Sequence, residues 1–108
     1  MTTITTGSEQ ATLINVFTVT PENAEKLAAV LEEATEAVMR HVPGFISANI
    51  HLSTDRTRVV NYAQWESVEA FAAMQADPAA QVHMRDAADL AVGFDPHIYT
   101  VESVHERR

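Results

Sequence analysis

The chain has 108 residues, 46% of them hydrophobic and 20% charged, with 15 acidic side chains against 7 basic ones. That length suits one compact domain, which buries roughly two-thirds of its unfolded surface, and the apolar fraction argues against wholesale disorder. A formal charge of -8 argues against nucleic acid and anionic membranes as partners, because phosphate surfaces need clustered Lys and Arg, and the only basic doublet is the terminal Arg107-Arg108. Without cysteine there is no disulfide, thiolate metal site or Cys nucleophile. Met1 to Gln10 carries no secretory pattern, and the longest apolar run, Leu27 to Leu31, is far short of the ~20 residues of a membrane span. The expectation is a soluble, cytoplasmic protein.

Residues 1–10 are rich in Thr, Ser and Gly and read as a disordered tail, which leaves a domain over 11–105. Thr12 to Thr20 alternates, with Leu13, Asn15, Phe17 and Val19 on one face and Ile14, Val16 and Thr18 on the other. That pattern predicts a strand apolar on both sides. Thr20-Pro21-Glu22 starts a helix, with a hydroxyl cap, proline in the first turn and acid at the positive dipole end. Its apolar positions recur from Ala24 to Val42, about six turns at helical spacing, and Pro43-Gly44 stops it.

Phe45 to Ser53 and Thr57 to Glu66 read as a hairpin around the turn Ser53-Thr54-Asp55-Arg56. Ser67 caps a short helix, and Asp77-Pro78 restarts a second one to about Leu90. After Gly93 and Pro96, His97 to Val104 reads as the last strand. The order β-α-β-β-α-β predicts an α+β, ferredoxin-like fold with an antiparallel sheet. Helices cover only one face of such a sheet. The other would carry Ile14, Val16, Val60 and Tyr62, too apolar for water, so a homodimer packed sheet against sheet is expected.

Strand parity singles out three polar side chains. Val59, Asn61, Ala63 and Trp65 share a face of the third strand, and Asn15 lies between Leu13 and Phe17 on the first. If both faces look toward the helices, two amides and an indole N–H converge in an apolar space. Each amide then needs a partner, since an unpaired buried amide costs ~1–3 kcal/mol. The plainer reading is that Asn15 and Asn61 satisfy each other or a nearby backbone group, with Trp65 as ordinary core. The other is a small-molecule site, an apolar pocket with a few donors. His51 stands on the hairpin, His83 and Arg85 on the second short helix, and His41 beside a helix end; the plain reading for each is a surface or structural residue. No His-x-His or His-Glu-x-x-His spacing supports a metal site, and no glycine cluster supports a phosphate loop.

The string His51-Leu52-Ser53-Thr54-Asp55, followed by Val59-Val60-Asn61-Tyr62-Ala63-Gln64-Trp65-Glu66-Ser67, resembles the antibiotic biosynthesis monooxygenase family. It is especially similar to the small monooxygenases of actinorhodin and nogalamycin biosynthesis. Pro43-Gly44-Phe45 and Asn15 add to the likeness, which covers about residues 12–104. The resemblance implies a dimeric α+β barrel. It implies oxidation of an anthrone-like polyketide to a quinone by molecular oxygen, with no metal, flavin or haem. Asn61 would then donate to the developing oxyanion, Trp65 would stack on the ring or donate its N–H, and Asn15 would hold a second oxygen. His51, Arg85, Phe71 and Phe17 would contact the substrate.

Phe71 and Ile50 stand where the actinorhodin-type pocket has tyrosines, so a phenolic proton relay through those positions is absent. Three other readings remain. A haem-binding or haem-degrading relative would use Asn15 and His83. A polyketide cyclase would use a similar cleft without oxygen. A dimer that binds an aromatic metabolite without turnover needs only the pocket.

Overall fold

The alternation of Ala11 to Thr18 produces strand β1 in the computed structural model, which describes residues 1–108. Helix α1 follows over Pro21–Ala37, then strand β2 (Phe45–Leu52), strand β3 (Arg58–Trp65), helix α2 (Val68–Gln75), helix α3 (Pro78–Leu90) and strand β4 (Gly93–Tyr99). The strands form one antiparallel sheet in the order β2-β3-β1-β4. This is the ferredoxin-like α+β arrangement the sequence predicts, with the helices packed on one face. Two of the three expected caps form: Ser67 accepts from the Ala70 N–H at 3.1 Å, and Asp77 from the Ala79 N–H at 2.8 Å, whereas the Thr20 hydroxyl makes no cap bond and α1 starts on Pro21 without it.

Two boundaries differ from expectation. The first helix ends at Ala37 and not at Val42, and a single 3-10 turn over Met39–His41 follows. The Thr35 hydroxyl bonds the Leu31 carbonyl at 2.8 Å, a contact that bends helix ends. The break turns Val38, Met39 and Val42 onto the packing around Trp65. The last strand runs over Gly93–Tyr99 and includes Pro96, whereas the sequence reading placed it at His97 to Val104. Pro96 is tolerated because β4 is an edge strand, so one side of its backbone has no ladder to break.

The core is divided. One cluster gathers Leu13, Ala63, Trp65 and Met74 with Ala11 and Ala80; the other gathers Phe17, Val59, Leu27 and Val19 with Ala24 and Ala87. Asn15 lies between Leu13 and Phe17, and Asn61 between Val59 and Ala63, so the two amides fall at the division.

Residues 1–10 form no helix or strand, yet Thr2 and Thr3 are tied to the outer sheet face. Thr3 N–H donates to Gln64 Oε1 at 3.1 Å, and Gln64 Nε2 donates back to the Thr3 carbonyl at 2.5 Å. Thr2 bonds Ser47 and accepts from Asn49. This pairing explains how Gln64 can be buried on that face. At the β2–β3 turn, the Asp55 carboxylate accepts from the Thr57 and Ser53 hydroxyls, which hold its pKa below the usual value.

Gly44 enters β2 with φ +88, and a Cβ there would meet the Ala70 Cβ of α2 at 2.4 Å. Only glycine combines that backbone with that approach. Gly44→Ala is expected to lower stability by about 2–4 kcal/mol, through a strained φ and displacement of α2. Urea denaturation of the two proteins measures it; a loss under 1 kcal/mol would contradict the packing argument.

Candidate active site

In β1 and β3 the odd-numbered residues face the helices, as the parity reading expects. Leu13, Phe17, Val59, Ala63 and Trp65 are buried there, and Asn15 stands directly opposite Asn61 in the antiparallel register. Opposed side chains of that kind have Cβ atoms about 5 Å apart. The two amides are therefore immediate neighbours on the floor of a cavity of about 170 Å³ between sheet and helices. Phe45 and Ala48 of β2 extend the floor, and Leu31, Thr35, Met74 and Met84 of the helices form the roof.

Both Asn15 Oδ1 and Asn61 Oδ1 are buried and have no hydrogen-bond partner. The plain reading, in which the two amides satisfy each other or the backbone, therefore fails for these oxygens. Each unpaired acceptor costs about 1–3 kcal/mol. A fold keeps such a cost where the polar groups serve something other than stability. Trp65 is 2% exposed and is held by two edge-on aromatic contacts, Phe45 at 5.4 Å and 81° and Phe71 at 6.2 Å and 63°. Its ring plane is fixed before any ligand arrives.

The residues around this cavity include no Asp, Glu, His, Lys, Arg, Tyr, Ser or Cys. The Thr35 hydroxyl is already committed to a backbone carbonyl. The walls thus offer neither a protein base nor a nucleophile. What they offer is an apolar slot, oriented aromatic rings and amide donors in a low-dielectric space, where hydrogen bonds to developing charge are strong. A second recess of about 220 Å³ lies among Thr3, Gln10, Gln64 and Thr100, but its lining is polar and its buried Gln64 amide is already paired with Thr3.

Asn15, Asn61, Trp65, Phe17 and Phe71 all line the cavity. His51 and Arg85 do not. A β-bulge between Phe45 and Ser47 turns Ala48 and Ile50 inward and leaves His51 exposed on the outer face, its Nδ1 3.1 Å from the Asn49 carbonyl oxygen. Helix α3 presents Met84, Ala87 and Ala88 to the cavity, which rotates Arg85 into solvent and leaves His83 outside the lining. The substrate contacts expected of His51 and Arg85, and a haem-ligand role for His83, have no support in this geometry. Phe94 and Pro96 line the cavity and were missed, because the last strand was begun after them. Their alternation with Ile98 was the available signal.

Asn15→Leu is expected to raise stability by about 1 kcal/mol, since an apolar near-isostere removes a buried acceptor that nothing pairs. Urea denaturation at equal protein concentration checks it, and a clear loss of stability would mean that the amide is satisfied in the folded protein.

Comparison with known proteins places the chain among relatives. A sequence-family profile described as antibiotic biosynthesis monooxygenase matches residues 11–86. Tetracenomycin-F1 monooxygenase of Streptomyces glaucescens is 51% identical over 83 residues, which is 77% of this chain and 74% of that protein. The crystal structure of a monooxygenase from the ActVA-Orf6 gene of Streptomyces coelicolor, solved with nanaomycin D, superposes with a TM-score of 0.81 at 32% identity, covering 91% of this chain and 92% of that one. SnoaB, a cofactor-independent oxygenase from Streptomyces nogalater, superposes with a TM-score of 0.75 at 23% identity over 90% and 97% of the two chains, and so shares the fold.

Proposed function

Because the chain belongs to the antibiotic biosynthesis monooxygenase family, we propose a specific reaction for it: oxidation of an anthrone-like aromatic polyketide to the quinone, with molecular oxygen as co-substrate and no metal, flavin or haem. Monooxygenase activity is the function this chain shares with its 51% identical relative. The observation that carries the finer reading is the pair of cross-strand amides, Asn15 and Asn61, in an apolar cavity whose lining holds no titratable side chain. The relatives' names, one for an action on tetracenomycin F1 and one for a complex with nanaomycin D, support an aromatic substrate class.

The chemistry suits a protein that supplies surroundings and no reagent. An anthrone loses a proton from the carbon opposite its carbonyl, and the charge moves onto the carbonyl oxygen. Asn61, with Asn15 beside it, donates hydrogen bonds to that oxygen and favours the anion. With no base in the lining, the proton passes to water. The electron-rich anion gives one electron to oxygen, and the radical pair joins in a new carbon–oxygen bond. The peroxide anion so formed takes a proton back from water, and the hydroperoxide then loses water across its C–H and O–O bonds, which leaves the quinone carbonyl. One oxygen atom enters the product and the other leaves as water. Trp65 packs on the flat substrate or donates its N–H, and the apolar walls limit solvent around the anion.

Asn61→Ala is expected to lower the rate of quinone formation about 10–100-fold while the protein stays folded, and Trp65→Phe to lower it less. Oxygen uptake with a simple anthrone, recorded beside quinone absorbance and background autoxidation, measures both. Unchanged rates in a folded double variant would remove the residue assignment. Product formed equally well under nitrogen would favour the cyclase reading instead.

The proposal includes a homodimer formed through the outer sheet face, where Ile14, Val16, Val60 and Tyr62 are only half-buried while the helices cover the other side. Sedimentation velocity should give a dimer, and Val60→Asp should give a monomer; a wild-type monomer at micromolar concentration would overturn this part. No helix is long and apolar enough to cross a membrane, and the proposed location is the cytoplasm, which cell fractionation checks.

A further inference from the structure

The cavity above Asn15 and Asn61 is small. Its volume is about 170 Å³, against roughly 300–1,000 Å³ for sites that enclose a drug-sized ligand. A flat polycycle held at the amides therefore fills the cavity and reaches its open side. Across the sheet, the row through the amides ends on one side at Ile50, which packs against the Phe17 cluster. On the other side it continues from Asn15 to Pro96 of β4.

That second direction is open. The helices pack over β2 and β3 and against one another. On the helix side of β4, Phe94 is 55% exposed and Ile98 is 39% exposed. Phe94 stands opposite Phe17 in the register, with ring centroids 6.1 Å apart and a 41° tilt, so its ring prolongs a buried wall outward. Phe94 and Pro96 both line the cavity, so the apolar surface runs unbroken from the amides to the edge of the sheet. Pro96, which has no N–H, adds an apolar ring to that floor.

We propose that Phe94 and Pro96, at the open side of the cavity, form an outer shelf of the active site, which takes the distal ring of a flat polyaromatic substrate. The inference rests on the reading of the site as one for aromatic polyketides, and it deepens that reading. The amides hold the reacting oxygen, and the shelf selects for length. Phe94 is then a specificity-determining residue.

Trp65 is the only tryptophan and reports binding through its fluorescence. The full-length protein is titrated with two unreactive quinones, three-ring 9,10-anthraquinone and four-ring 5,12-naphthacenequinone. The wild type should bind the four-ring quinone more tightly. Phe94→Ala should weaken that binding about tenfold and the three-ring binding about twofold, while Phe94→Tyr keeps the preference. No ring preference in the wild type, an equal loss for both quinones in Phe94→Ala, or no binding of either would overturn the shelf. Dissociation of a wild-type dimer by Phe94→Ala would assign the residue to a second copy and overturn it too. Oxygen uptake separates this from the reaction itself. Ring preference without anthrone turnover sinks the reaction and leaves the shelf; turnover without ring preference does the reverse.

Discussion

The cross-strand pairing of Asn15 with Asn61 is the constraint around which the molecule is arranged. Each amide takes an inward position that a valine or leucine would fill if stability alone mattered. The apolar packing is consequently split into a cluster around Trp65 and a cluster around Phe17. The cavity lies where the two would otherwise meet. Two buried acceptors without partners are a standing cost, and a compact domain of this size has only a modest net stability against which to carry it.

Small side chains hold the space open. Ala48, Ala63, Ala87 and Ala88 face the cavity where larger residues would close it. Gly44 lets α2 approach the start of β2 closely enough for Phe45 and Phe71 to meet Trp65 from two sides. The indole is thus positioned by close packing. In the proposed reaction, a cavity without titratable groups leaves acid–base work to the substrate and to water, and the protein's part is electrostatic and geometric, through donors fixed in place before charge develops.

The sheet is asymmetric in how it is covered. Helices shield the inner face of β2 and β3, and the N-terminal residues Thr2 and Thr3 bind one end of the outer face through Ser47, Asn49 and Gln64. Strand β4 is left exposed at the edge, and it carries the residues that continue the cavity outward. A proline in mid-strand discourages further strand pairing at that edge.

The sequence by itself determined the elements, the caps at Ser67 and Asp77 and the two faces of β1 and β3, because those depend on local chemistry and a period of two. Asn15, Asn61 and Trp65 were legible as inward polar groups for that reason, and their neighbours Phe17 and Phe71 came with them. Tertiary structure decided the rest. Phe45 and His51 have the same parity, and an unbroken strand would put both inward; the bulge after Phe45 reverses the face of everything beyond it, so His51 points out. Arg85 is set by the rotation of α3 on the sheet, which packing against α1 fixes and periodicity does not. Pro96 looks like a strand terminator until the sheet order makes β4 an edge. That Asn15 and Asn61 face each other is a matter of register between strands over 40 residues apart, which only the assembled sheet specifies.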